Sequence, residues 1–214
     1  MSDDAPHKSG AMRLELEQEE NARADVYALL SHLFYQPASK ELLAGIATGS
    51  GLCNDADETD FCRAWRALQQ AAAQTDAETV RGEFDAAFIG TGRQPVMLYG
   101  SFYESGFLHE KPLALLRDDL TQMGYARRGD RHESEDHVSA LCDVMRIMIT
   151  GGPAMPPAAL ELQRAFFRRH LEPWYVRLCE AVISANQTNF YKHVAQVLRE
   201  FFAIESAAFE MMDC

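Results

Sequence analysis

Apolar residues recur at helical spacing along most of this chain, and no stretch of useful length alternates as a strand does. That pattern constrains the fold more than any other feature. Ala22, Val26, Leu29, Leu30 and Leu33 make one stripe, and Val80, Phe84, Ala87 and Phe88 a second. Val138, Leu141, Cys142, Met145 and Met148 make a third, and Phe190, Val194, Val197, Leu198 and Phe201 a fourth. Residues three or four apart share a helix face, whereas a half-buried strand needs a period of two. Start and stop signals agree with the stripes. Pro37 ends the first helix, whose acids Glu15, Glu17, Glu19 and Glu20 lie early, where the helix dipole favours them. Ser39 suits an N-cap, and Thr75-Asp76-Ala77-Glu78 reads as a capping box. Pro112 and Pro173 suit first turns, and Gly124 stops a helix. The expectation is an all-α fold: one compact domain over residues 12–210, of roughly eight to ten helices, behind a disordered tail of residues 1–11.

The net charge of −12 argues against nucleic acid, whose phosphates need Lys and Arg. It suits a basic partner, or solubility alone. Nothing approaches the roughly 18 apolar residues of a membrane span, and the polar start Met1-Ser2-Asp3-Asp4 leads into no secretory signal. Cys53, Cys62, Cys142, Cys179 and Cys214 are odd in number and lack CxxC spacing. They read as free thiols of a reducing compartment, hence a cytoplasmic protein, with Cys142 and Cys179 as core residues.

One polar run stands out: Asp130-Arg131-His132-Glu133-Ser134-Glu135-Asp136-His137, ahead of the third stripe. It reads as a helix start with Asp130 as N-cap, which places Glu133, Asp136 and His137 on one face of the first turn. Two acids and an imidazole can bind metal, move protons or receive a basic partner. A zinc-protease helix needs HExxH, but His132 and His137 are five apart and point about 140° away from each other. A di-iron bundle needs Glu-x-x-His, and no His here has Glu three residues before it. No P-loop and no GxSxG elbow occurs. The plain alternative is capping by Asp130 and Glu133, with His137 held by Glu133 or by backbone. Phe84, Phe88, Tyr99 and Tyr103 then read as core, and Ser101 as an N-cap.

Three segments together resemble the TorD/DmsD/NarJ family of chaperones for molybdenum enzymes. Phe84-Asp85-Ala86-Ala87-Phe88-Ile89-Gly90, running into Tyr99-Gly100-Ser101-Phe102-Tyr103, is similar to the family's aromatic segment and its Tyr-x-Ser-x-aromatic motif. Glu133-Ser134-Glu135-Asp136-His137 resembles the family's Glu-Pro-x-Asp-His, with Ser134 in place of proline. His170-Leu171-Glu172-Pro173-Trp174, followed by Phe190-Tyr191, resembles its His-x-x-Pro-Trp and Phe-Tyr pair. The resemblance implies a TorD-like helical fold, a cytoplasmic location and no catalysis, resident cofactor or metal. It implies binding of the twin-arginine signal peptide of a molybdopterin oxidoreductase precursor, formate dehydrogenase-like or dimethyl sulfoxide reductase-like. The apoenzyme is held until its molybdopterin guanine dinucleotide cofactor is inserted. The implied site has Glu133 and Asp136 meeting guanidinium groups, and His137 orienting Asp136 or sensing pH near neutrality. Ser101 lies beside them, and Phe84, Phe88, Tyr99 and Tyr103 line an apolar groove. The protein is expected as a monomer or homodimer. Two rival readings stand beside it: a metal- or acid/base-dependent hydrolase using Glu133, Asp136 and His137, and a helical scaffold without a groove.

Overall fold

Several helix starts in this chain are set by side chains that accept the orphan N–H groups of a first turn. The computed structural model describes residues 5–54, 56–89, 94–108, 110–127, 133–153 and 155–212, with side chains from Leu16 onward. Among these residues are ten α-helices and no strand. They are α1 (Ala5–Tyr35), α2 (Lys40–Thr48), α3 (Asp60–Gln74), α4 (Ala77–Phe84), α5 (Gly100–Ser105), α6 (Lys111–Gln122), α7 (Val138–Thr150), α8 (Leu160–His170), α9 (Tyr175–Ser184) and α10 (Phe190–Met211). Local caps follow the sequence closely. Ser39 accepts from Leu42 N–H at 3.2 Å. Asp76, one residue after the expected Thr75, accepts from Thr79 N–H at 2.8 Å. Thr59 caps α3 in the same way. α1 begins at Ala5, upstream of the boundary expected near residue 12.

α1 packs along α7, and α10 packs against α3 and α9. The stripes named above supply the core: Leu30, Leu33, Val138, Cys142, Met145, Val194 and Leu198 are all buried. Burying such side chains is worth about 1.5–3 kcal/mol each, which is why the amphipathic period governs the fold. A partly buried ion pair joins α1 to α10. Arg23 on α1 meets both carboxylate oxygens of Glu205 on α10 at 2.8 Å, and Tyr27 donates to Glu205 at 3.0 Å. α4 runs directly into a π-turn at Asp85–Ile89. Phe84, just before that turn, and Phe88, within it, close on Tyr191, with ring centroids 5.7 and 5.1 Å away.

Two expectations fail here. Cys53 and Cys62 are joined in a disulfide, with Cα atoms 5.7 Å apart. The pairing depends on a loop folding back onto the start of α3, a distance that residue spacing does not reveal. These cysteines therefore give no support to a reducing compartment. Cys142 and Cys179 are free and buried, as expected. The second failure concerns the polar run. Residues 133–137 are not helical, and α7 begins only at Val138. Glu133, Asp136 and His137 do not share a helix face. Asp130, the expected cap, lies outside the described residues.

Candidate functional site

Residues 133–137 form a turn whose end is bridged to the segment around Tyr99. Tyr99 and His137 form an antiparallel bridge. Val138 N–H donates to Leu98 C=O at 2.8 Å, and Gly100 N–H donates to Asp136 C=O at 2.9 Å. The first turn of α5 has no capping side chain of its own. Asp136, 35 residues downstream, supplies one: its Oδ2 accepts from Ser101 N–H at 2.9 Å. The Ser134 hydroxyl donates to the other oxygen, Oδ1. Asp136 is only 3% exposed. Its oxygens are turned inward onto α5 and Ser134.

His137 is also buried, and it is the N-cap of α7: its Nδ1 accepts from Ser139 N–H at 3.2 Å. A ring nitrogen that accepts carries no proton, so the cap requires the neutral imidazole. Burial pushes the pKa down to about 4, against the opposing pull of Glu133 and Asp136. His137 is therefore not a sensor near neutral pH. Nor does it orient Asp136; its ring meets the edge of Tyr99, with centroids 5.0 Å apart.

Glu133 is different. It is half-buried, accepts a hydrogen bond from the Tyr99 hydroxyl, and lines two adjoining hollows. The inner hollow is small and is bounded by Phe84, Phe88, Tyr99, Glu133 and His137 among others. Five of the expected site residues thus do converge. The outer one is an open cleft of about 160 Å³ between α1, α7 and the segment after α6. Its walls are mainly apolar: Tyr35, Leu120, Tyr125, Val144 and Ile147. Its acids are Glu133, Glu135 and Asp143, and Arg127 lies among them. Glu135 receives both Nε and Nη2 of Arg117 at 2.9 and 2.8 Å. Partial burial pushes the Glu135 carboxyl up, but the Arg117 bonds outweigh it and hold the group below the usual carboxylate range. Asp143 is paired one turn along its own helix with Arg146.

A family model described as nitrate reductase delta subunit matches residues 54–180. The chaperone protein TorD of Vibrio cholerae serotype O1 is 26% identical over 207 residues, covering 89% of this chain and 93% of that one. TorD of Vibrio parahaemolyticus serotype O3:K6 is 26% identical over 205 residues, covering 86% and 93%. The chain belongs to the TorD/DmsD/NarJ family of molybdoenzyme maturation chaperones. A crystal structure from Archaeoglobus fulgidus, described as a candidate redox enzyme maturation protein, shares the fold. It has a TM-score of 0.56 and 18% identity, and covers 85% of this chain and 93% of that one.

In this family member the three resembling segments meet. Gly100 lies against Trp174, so closely that a Cβ there would come within 3.0 Å of the indole Nε1. That nitrogen donates to His170 C=O at 2.7 Å, and Tyr103 stacks on the indole at 5.6 Å. The Tyr103 hydroxyl donates to Met97 C=O at 2.8 Å. Asp136 completes the junction through Gly100 and Ser101. Ser101 is buried inside α5 and is not its N-cap, and Tyr103 is packed on Trp174 and lines neither hollow. Phe84 and Phe88 are core residues that only touch the inner hollow.

Sequence reasoning missed Tyr35, Tyr125, Glu135 as a cleft acid, Asp143, Val144 and Ile147. A signal was present. Ala140, Asp143, Val144 and Ile147 fall at i, i+3, i+4 and i+7 on α7, a second stripe beside the buried one, and all four are half-buried.

Proposed function

We propose that the outer cleft receives the twin-arginine signal peptide of a molybdopterin oxidoreductase precursor, and that the protein holds the apoenzyme in the cytoplasm until its cofactor is inserted before export. The observation that carries this reading is the pairing of an apolar cleft with an acidic rim of Glu133, Glu135 and Asp143, in a chain of this family. Such a signal presents two guanidinium groups followed by an apolar segment. Carboxylates take guanidinium in short, charge-assisted hydrogen bonds. Tyr35, Tyr125, Val144 and Ile147 offer the apolar wall. The net charge of −12 attracts a basic peptide from a distance. No helix among the described residues is long and apolar enough to cross a membrane, which agrees with a partner met in solution.

In this reading Glu133 and Glu135 contact the peptide, while Asp136, His137 and Ser101 position the segment that carries Glu133. The protein acts by binding and not by catalysis. A hydrolase built on Glu133, Asp136 and His137 is disfavoured by geometry, because Asp136 Oδ2 accepts from Ser101 N–H and His137 Nδ1 from Ser139 N–H.

Calorimetry with a twin-arginine signal peptide and its Lys-Lys counterpart tests the proposal. Binding of the first, weakened in the second and in Glu133→Gln, is the expected result. No heat with either peptide would sink the reading.

A further inference from the structure

The acidic rim of the cleft is already occupied by guanidinium groups of the chain itself. Arg117 on α6 places two N–H groups on one oxygen of Glu135, at 2.9 and 2.8 Å. Its side chain is nevertheless half exposed, while that of Glu135 is 16% exposed. Arg127, exposed and ten residues further along the same segment, lines the cleft together with Glu135 and Glu133. Both arginines thus approach the rim from the side of α6, opposite the wall formed by α7. An ion pair with one exposed arm is weak, because water competes for the free N–H groups and the long side chain loses rotamer freedom. It is strong enough to hold a carboxylate in place and weak enough to exchange.

We propose that Arg117 and Arg127 are internal counter-ions of the cleft, and that an arginine of the incoming peptide binds by replacing Arg117 on Glu135. The inference rests on the signal-peptide reading and deepens it. It makes binding an exchange of one guanidinium partner for another. Glu135 is then never left as an uncompensated half-buried charge, and affinity is set by the difference between two similar pairings. Such an exchange also discriminates. A lysine ammonium offers a point charge with no planar fork, so it replaces the Arg117 pairing less well than a guanidinium does.

The opposite role for Arg117 is purely positional: it fixes Glu135 for the ligand. The two roles predict opposite signs. Under exchange, Arg117→Gln removes a competitor and tightens twin-arginine peptide binding by about two- to fivefold, the worth of one exposed pair. Arg127→Gln tightens it to a smaller extent, and Arg117→Lys falls between wild type and Arg117→Gln. Arg199→Gln, which removes the same charge from α10 at a pair with Glu200 that does not line the cleft, leaves affinity within error. The measurement is isothermal titration of the full chain with the peptide at fixed, low salt. Unchanged or weaker binding in Arg117→Gln, with wild type binding well, overturns the exchange and leaves the signal-peptide reading standing. An equal gain in Arg199→Gln overturns it too, since the effect would then be general charge. Absence of binding by wild type rejects the signal-peptide reading and the exchange with it.

Discussion

The junction around Asp136 and the cleft around Glu133 adjoin in space and share a sequence run, yet they are built oppositely. At the junction, acid, hydroxyl, imidazole and indole are buried with hydrogen-bond partners: Asp136 to Ser101 and Ser134, His137 to Ser139, Trp174 to His170. At the cleft, the acids are half-buried and their partners are the hydroxyl of Tyr99 or partly exposed arginines. A buried polar group with its partners made is worth keeping for stability, because losing one partner exposes the other to the full desolvation cost. A half-exposed acid is cheap to re-pair. Asp136 and His137, two of the residues that look most chemical in the sequence, therefore hold the fold, whereas Glu133, Glu135 and Asp143 line the open cleft.

The sharpest way to break this contrast is Asp136→Ala. It removes the Asp136 carboxylate that accepts from the Ser101 N–H and the Ser134 hydroxyl, and so uncaps α5. We expect a loss of about 3 kcal/mol in chemical denaturation, more than a peptide-contact role would produce. A fully stable Asp136→Ala that merely fails to bind peptide would reverse the assignment.

Acid comes next. His137 has its folded pKa depressed to about 4, against an unfolded value of about 6.5. Between those values the unfolded chain binds the proton and the native one does not, so stability falls as pH drops through this window. By pH 4 the loss attributable to His137 reaches about 3 kcal/mol. His137→Asn keeps a cap and removes the titration, so its denaturation midpoint should depend less on pH than that of wild type between pH 6.5 and 4. Parallel curves for the two proteins would show that the ring is not held neutral by the fold.

Gly100→Ala probes the same junction by size. The added Cβ meets the Trp174 ring at 3.0–3.3 Å, and a rigid indole stacked on Tyr103 has little room to yield. A cost of about 1–3 kcal/mol, read as a lower thermal midpoint, is expected. The smallest effect on stability belongs to the cleft. Glu133→Gln should change stability by less than about 0.5 kcal/mol while weakening twin-arginine peptide binding by about five- to tenfold. A large stability loss there would place Glu133 with the junction.

Much of this was legible beforehand. The helical stripes placed the core of α1, α7 and α10, and Ser39 and Pro112 marked the helix starts they were expected to mark. The family segments were found in the right order. What failed was the local reading of residues 133–137, where a capping pattern suggested a helix that begins only at Val138. Capping statistics describe neighbours in the chain, and here His137 caps the helix that follows it while Asp136 serves a different one. The cleft was legible only as a secondary stripe on α7, since a stripe does not say whether its partner is core, solvent or peptide.

What the sequence determined by itself is the set of helices and their inward faces, because a 3.6-residue period and a local cap depend on residues within one or two turns. The tertiary structure alone decided which carboxylates close the distant helix ends. Asp136 caps α5 from 35 residues away, and Glu83 accepts from the N–H groups of Asn189 and Phe190, at 2.8 Å each, to begin α10. An orphan N–H will take any well-placed acceptor, and only the packing of the chain places acceptors that are remote in sequence.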